Sequence, residues 1–453
     1  MSLDILPIEW LLTELNQVLS VKNGYAFKSK DYISEKTSDD LVPVIRISDI
    51  KDNSVSTLKS VFVEKAKASE NFKIDKGDLL IAMSGATTGK TGIFREENPA
   101  FLNQRVGNLK VHSQEYFLPK FRNFLIQNLS NQILENAYGG AQPNISSKDI
   151  ESLKFGLPSL AEQQEIVRQL DVMLAQVEQI KARLDAIPAI LKKFRQSVLA
   201  DAVSGKLTED QANNQEWIEK PLSEVASHVV DCPHSTPKWS ESGKICVRTT
   251  GFKPFFLDLS EQGFVSEEVF NQRNQRLVPQ ENDILYSREG TVGIACQIPI
   301  GVELCLGQRM VLIRAGKSID DKFLTIVLNS NKILEIVRSK TMGSTAPRVN
   351  MSDIRAYPIP LPSLDEQRVI VSKVETFFNS AKNIESLINS AQKRVNLLTQ
   401  SILAKAFSGE LTAEWREQHQ DLITGVNSAE SLLAKIQAER EASKPVKKAK
   451  RVK

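Results

Sequence analysis

Residues 158–208 read PSLAEQQEIVRQLDVMLAQVEQIKARLDAIPAILKKFRQSVLADAVSGKLT, and residues 362–412 read PSLDEQRVIVSKVETFFNSAKNIESLINSAQKRVNLLTQSILAKAFSGELT. The second stretch is the first, shifted by 204 positions. Pro158, Ser159, Leu160, Glu162, Gln163, Ile166 and Val167 fall on Pro362, Ser363, Leu364, Glu366, Gln367, Ile370 and Val371. Between 196 and 208, nine of thirteen positions are identical without a gap. The match extends upstream through Pro143, Asp149, Ile150 and Leu157, which fall on Pro347, Asp353, Ile354 and Leu361. Self-similarity at a fixed period decides an architecture before any residue-level reading does. Here it gives one unit used twice.

Apolar residues in the first stretch fall at Ile166, Leu170, Met173, Val177, Ile180, Leu184, Ile187, Leu191, Phe194 and Val198. The second gives Ile370, Val374, Phe377, Ala381, Ile384, Ile388, Ala391, Val395, Leu398 and Ile402. Steps alternate four and three, the a/d spacing of a coiled coil. Ser159-Leu160-Ala161-Glu162 and Ser363-Leu364-Asp365-Glu366 read as capping boxes at the starts. Gly205 and Gly409 read as stops. Pro188 removes one helical donor, so a kink or short break is expected there. Each helix is about 65 Å long at 1.5 Å per residue. An apolar stripe of that length needs a partner, and the other copy is the obvious one. Antiparallel pairing would relate the two halves by a pseudo-two-fold.

Outside the repeated stretches the halves share only a plan. β-type runs at 41–47, 78–83 and 106–111 precede a helical stretch near 119–138. Runs at 245–248, 283–286 and 310–314 precede one near 321–342. These patterns predict α+β modules with mostly antiparallel sheets. Trp10 and Trp217, each after a Glu, open the two modules. Leu411-Thr412-Ala413-Glu414-Trp415 repeats that approach, so the chain ends where a third module would begin.

Net charge is +3 over 453 residues, with 41% hydrophobic and 25% charged content. A nucleic-acid surface must therefore be local and not global. The tail from Lys444, KPVKKAKRVK, is basic and reads first as a solubilising segment. No apolar run long enough for a membrane span appears, and MSLDILPIEW lacks the marks of a signal peptide. Four cysteines do not form a disulfide framework, so a cytoplasmic location is expected.

Little here points to catalysis. Ser84-Gly85-Ala86-Thr87-Thr88-Gly89-Lys90-Thr91 is one residue short of a phosphate loop, and its second copy, Gly290-Thr291-Val292-Gly293, has no lysine. Strand-like residues follow where a helix would be needed, so both read as turns. Cys232, Cys246, Cys296, Cys305, His228 and His234 lie in the second module without metal-ligand spacing, so no metal site is expected. Nucleotide-binding and methyltransferase signatures are absent. The candidates for DNA contact are polar and basic residues on loops. In the first module they are Tyr25, Lys28, Lys90, Gln104, Arg105, Gln142 and Asn144. In the second they are His234, Thr236, Lys238, Arg248, Arg273, Arg276, Arg288, Arg309 and Arg348. Arginine forks suit guanine, Asn and Gln suit adenine, and lysine mostly meets phosphate. Gln104-Arg105 recurs as Gln308-Arg309, so this pair fits framework or backbone contact better than sequence choice.

The doubled Pro-Ser-Leu-x-Glu-Gln entry, the Ser-Gly-x-Leu-Thr exit, Gly24-Tyr25-Ala26-Phe27-Lys28, the 78–94 segment and Asp231-Cys232-Pro233-His234-Ser235-Thr236-Pro237 resemble the specificity subunit of type I restriction–modification enzymes. The resemblance implies two target recognition domains, at 1–157 and 209–361. Helical spacers would occupy 158–208 and 362–415, with an extension at 416–453. It implies that each domain reads half of a split sequence in double-stranded DNA. The paired helices would set the gap and dock two modification subunits, through which restriction subunits join. S-adenosylmethionine, ATP and Mg would belong to those partners, and this chain would hold no cofactor. A coiled-coil scaffold that reads no DNA is the rival at this stage.

Overall fold

The computed structural model describes residues 6–51, 53–137, 143–211, 217–342 and 347–442. It falls into two compact units, Met1–Ala182 with Gln392–Lys453, and Arg183–Ala391. Each unit therefore holds one variable module and a stretch of both long helices.

The long helices run Leu160–Ser204 and Leu364–Phe407. Both end where the glycines required it, with Gly205 at φ +82° and Gly409 at φ +81°, conformations that glycine enters without a Cβ clash. Pro188 does not break the first helix, which is continuous through it. Leu184, Ile187 and Leu191 around the proline pack with Ala381 and Ile388, and this tertiary packing outweighs the local cost.

In both units the helices pair with opposite direction. In the second unit Thr208 meets Glu366 while Arg195 meets Glu385, and Phe194 packs edge-on against Phe377 at 6.0 Å. In the first, Ile166 and Leu170 share a core with Leu403 and Phe407. The seam is uneven. Ile166, Leu170, Val177, Ile370, Val374 and Ile388 are buried, Leu184 and Val395 are half-buried, but Met173, Ile180, Phe377 and Ile384 keep 37–44% of their surface exposed.

The helix starts depart from the capping box in an instructive way. Ser159 Oγ accepts from the Glu162 amide at 3.2 Å and Ser363 Oγ from the Glu366 amide at 3.3 Å. The glutamates do not turn back to the cap. Glu162 accepts from Trp10 Nε1, Thr412 Oγ1 and Arg416 Nε, and Glu366 from Thr208 Oγ1. The neighbouring glutamines are buried hubs. Gln163 Oε1 accepts from the Leu118 amide, just before helix Pro119–Asn128, and Gln367 Oε1 accepts from the Asp320 amide, just before helix Asp321–Leu328. The repeated Glu-Gln thus fixes each module to the start of its long helix.

In the first module one sheet runs, in spatial order, Leu19–Asn23, Val106–Val111, Leu79–Ala82, Thr91–Ile93, Asn53–Val55, Ile50–Lys51. A second runs Val61–Glu64, Leu41–Ile45, Ala100–Leu102, Lys73–Ile74. The second module repeats this with Ala226–Asp231, Met310–Ala315, Ile284–Ser287, Ala295–Gln297, and with Trp239–Ser240, Gly263–Val265, Lys244–Val247, Leu304–Leu306. Pairing is antiparallel except where Leu41–Ile45 meets Ala100–Leu102, Asn53–Val55 meets Thr91–Ile93, and Lys244–Val247 meets Leu304–Leu306. Short strands Leu11–Glu14 and Lys154–Leu157, and Ile218–Pro221 and Pro358–Leu361, close each module at the helix entrance.

Each expected module helix is two helices. Pro119–Asn128 and Ser130–Ala137 meet at Leu129, and Asp321–Leu328 and Asn331–Thr341 meet at Asn329-Ser330. In the second module the break has a function: Asn329 is buried and its amide exchanges hydrogen bonds with the Ala295 backbone. A further helix, Ala429–Ala442, places Leu432 and Ile436 in the core of the first unit. No described helix is long and apolar enough to cross a membrane. Gln142 and the basic tail lie outside the described residues.

Candidate nucleic-acid interface

The turn after strand Leu79–Ala82 leads straight into strand Thr91–Ile93, antiparallel to the first. No helix follows it, so it is a hairpin end and not a phosphate cradle. Two other segments converge on it. The Met83 amide donates to Arg105 O at 2.9 Å, the Ile145 amide to Met83 O at 3.0 Å, and the Gly85 amide to Pro143 O at 3.1 Å. Ser84 and Asn144 form the bridge between turn and loop. A fourth segment joins through Tyr25, whose amide donates to Leu102 O and whose carbonyl accepts from the Gln104 amide.

The second module rebuilds the three bonds that join the turn to its two neighbouring segments. The Arg288 amide donates to Arg309 O at 3.0 Å, the Val349 amide to Arg288 O at 2.9 Å, and the Gly290 amide to Pro347 O at 3.1 Å. Glu289 and Arg348 form the bridge. Gly85 and Gly290 both take positive φ, +82° and +77°, which is why the glycine is common to both turns. The lattice therefore equates Met83 with Arg288, Ser84 with Glu289, Arg105 with Arg309 and Asn144 with Arg348.

The candidates sort by this geometry. In the first module Tyr25, Lys28, Lys90, Gln104, Arg105 and Asn144 are exposed, and Lys90, Gln104, Arg105 and Asn144 lie on the converging segments. Tyr25 packs edge-on against Phe27 at 5.0 Å and at a tilt against Phe72 at 5.3 Å. In the second module His234, Thr236, Lys238, Arg248, Arg276, Arg309 and Arg348 reach the surface. Arg248 lies over the Trp239 ring at 4.0 Å, and Arg276 donates to Asp231 O.

Arg273 and Arg288 are corrections to the expected list. Arg273 is 5% exposed and donates to the carbonyls of Pro233, Ser235, Leu306 and Gly307. It holds the 233–235 loop in shape and has no fork left for a base. Arg288 is 2% exposed and is paired to Asp231. A buried guanidinium demands such partners, and charge alone could not distinguish these two from surface arginines.

Carboxylates were missed. Asp231 receives Arg288 and, at 3.2 Å, His234 Nε2. Glu289 Oε1 lies 3.3 Å from Arg348 Nε and 3.9 Å from Arg288. Counting back one residue from the shared turn glycine would have found Ser84 and Glu289. Asp231, Glu289, His234, Arg288, Gln308 and Arg309 bound a polar concavity of about 190 Å³. On its wall Asp231 Oδ1 and Arg288 Nε are buried without a hydrogen-bond partner among the described residues.

Of the cysteines only Cys232 borders the concavity. All four are free and buried, and burial pushes the Cys232 thiol up and that of Cys296 to about 12. Such thiols behave as small apolar groups.

Two modules carrying one loop lattice, each seated on a repeated helix, match the type I restriction modification DNA specificity domain over residues 7–189 and 214–393. The chain belongs to that family. It is 35% identical to the type I restriction enzyme EcoBI specificity subunit of Escherichia coli, covering 96% of this chain and 93% of the relative. It is 33% identical to the EcoKI specificity subunit of Escherichia coli strain K12, covering 98% of both. The fold matches a chain from a structure describing assembly and conformational transition of the type I R-M system, with TM-score 0.64, 18% identity, and 89% and 98% coverage. It also matches the HsdS subunit of Thermoanaerobacter tengcongensis, with TM-score 0.57, 19% identity and the same coverage. As a type I specificity subunit the chain has a two-part architecture of target recognition domains and paired helices.

Proposed function

We propose that this specificity subunit reads a bipartite DNA sequence, one half per module, and leaves all chemistry to companion subunits. One observation carries the reading: the same loop lattice is built twice, on the same helix entrance, with different side chains displayed on it. A repeated frame with divergent display suits two readers of different words. Lys28, Lys90 and Arg105 form no ion pair among the described residues, which leaves them available to phosphate.

The helices serve as spacer and dock. Val172, Met173, Ile180 and Leu397 in the first unit, and Ile190, Phe377, Ile384 and Leu387 in the second, are apolar yet exposed. Exposed apolar stripes on otherwise charged helices fit protein partners. Two modification subunits would bind there, and restriction subunits through them. S-adenosylmethionine, ATP and Mg belong to those subunits on this reading, and the assembly works in the cytoplasm beside the DNA.

A competition assay on the chain assembled with its modification subunits tests this. DNA carrying the cognate bipartite site should compete at least about 1,000-fold better than scrambled DNA of equal composition. Equal competition would leave only the scaffold reading.

A further inference from the structure

The loop lattice separates what the modules share from what they do not. The shared side chains, Gln104-Arg105 and Gln308-Arg309, cannot choose different bases in the two halves. At the turn-to-loop bridge the modules differ completely, with Ser84 and Asn144 in one and Glu289 and Arg348 in the other. Resting on the bipartite reading above, we propose that Glu289 with Arg348, and Asn144 at the other bridge, are base-reading residues, setting the second module on a G·C pair and the first on an A·T pair.

The chemistry of the second bridge is specific. Arg348 Nε lies 3.3 Å from Glu289 Oε1, and the arginine side chain is 55% exposed. A guanidinium oriented in this way presents a fork to the O6 and N7 acceptors of guanine. Arg348 and Arg288 both approach Glu289 at Oε1, and the carboxylate can accept from the cytosine amino group. Guanine and cytosine are the two members of one pair, so acceptor and fork are matched to a single step of the major groove. Beside them lies the polar concavity bounded by Asp231, His234, Arg288, Gln308 and Arg309. The network Asp231–Arg288–Glu289–Arg348 orients the pair beforehand, as a reading site requires.

At the first bridge the same backbone displays the exposed amide of Asn144, while the Ser84 hydroxyl is buried. Asn144 can bond the N6 and N7 edge of adenine with both its groups. The preference of that position therefore falls to the asparagine.

The experiment uses full-length chain assembled with its modification subunits on a randomised DNA library, sequencing the methylated products. Arg348→Ala and Glu289→Gln should relax one G·C position in one half of the motif on the order of ten- to a hundred-fold, leaving the other half unchanged. Asn144→Ala should relax one A·T position in the other half. Arg348→Lys keeps the charge and loses the fork, so methylation should persist with the guanine preference gone. An unchanged motif, or a uniform loss over all sequences in both Arg348 variants, overturns the assignment while the bipartite reading stands. A wild-type complex with no sequence preference overturns both.

Discussion

Arg416 Nε donates to Glu162 Oε1 at 3.0 Å across 254 residues of chain, and Glu162 is fully buried. Thr412 Oγ1 donates to the same oxygen at 2.7 Å and Trp10 Nε1 to the other at 2.8 Å. The end of the second helical repeat thus completes the start of the first helix. The Glu162→Ala variant leaves a guanidinium buried without its counter-charge, and should lose about 3–5 kcal/mol in urea unfolding. Glu366 is only half-buried and is met by the Thr208 hydroxyl, so Glu366→Ala should lose about 1 kcal/mol. Equal losses at the two positions would refute this asymmetry.

Arg273 serves four carbonyls at once. Replacement by alanine should lower stability by about 3 kcal/mol, because buried acceptors are left unmet. Lysine, a single point donor, should recover less than half of that. Discrimination should weaken in one half of the DNA site, the one read by the second module. Full recovery by lysine would mean that charge and not the fork holds the loop.

Arg195 binds both Glu385 oxygens, at 2.7 and 2.9 Å, and holds that carboxyl below its ordinary value of 4.5. A depressed carboxyl stabilises the fold above its unfolded value, and the contribution disappears as pH falls through the lowered one. Both side chains are about a third exposed, so solvent screening limits the effect at pH 7 to under about 1 kcal/mol. Stability of wild type and Arg195→Ala, measured by thermal unfolding from pH 7 to 3, should converge below the carboxylate range. A gap that widens on acidification would contradict the pairing.

The frame was legible in the sequence because it is periodic and repeated. The heptads, the helix limits at Gly205 and Gly409 and the hairpin at Ser84–Thr91 all rest on local rules. What escaped depends on partners far along the chain. Glu162 reads as a cap residue but is claimed by Trp10, Thr412 and Arg416. Pro188 reads as a break, but the packing of Leu184, Ile187 and Leu191 holds the helix through it. Arg273 and Arg288 read as surface arginines because their carbonyl and carboxylate partners sit on other segments. Ala429–Ala442 carries too short a pattern to be foreseen as a packed helix. At the interface, the turn glycines Gly85 and Gly290 mark Ser84 and Glu289 as equivalent, but the lattice that joins them to Asn144 and Arg348 is made of backbone bonds and leaves no side-chain signature.

The division of labour between the modules is tested most directly by exchanging residues 11–155 for the corresponding module of another family member and mapping the methylated sequence of the assembled enzyme. One half of the motif should change while the other half and the gap between them stay as they were. A change in both halves, or in neither, would contradict it.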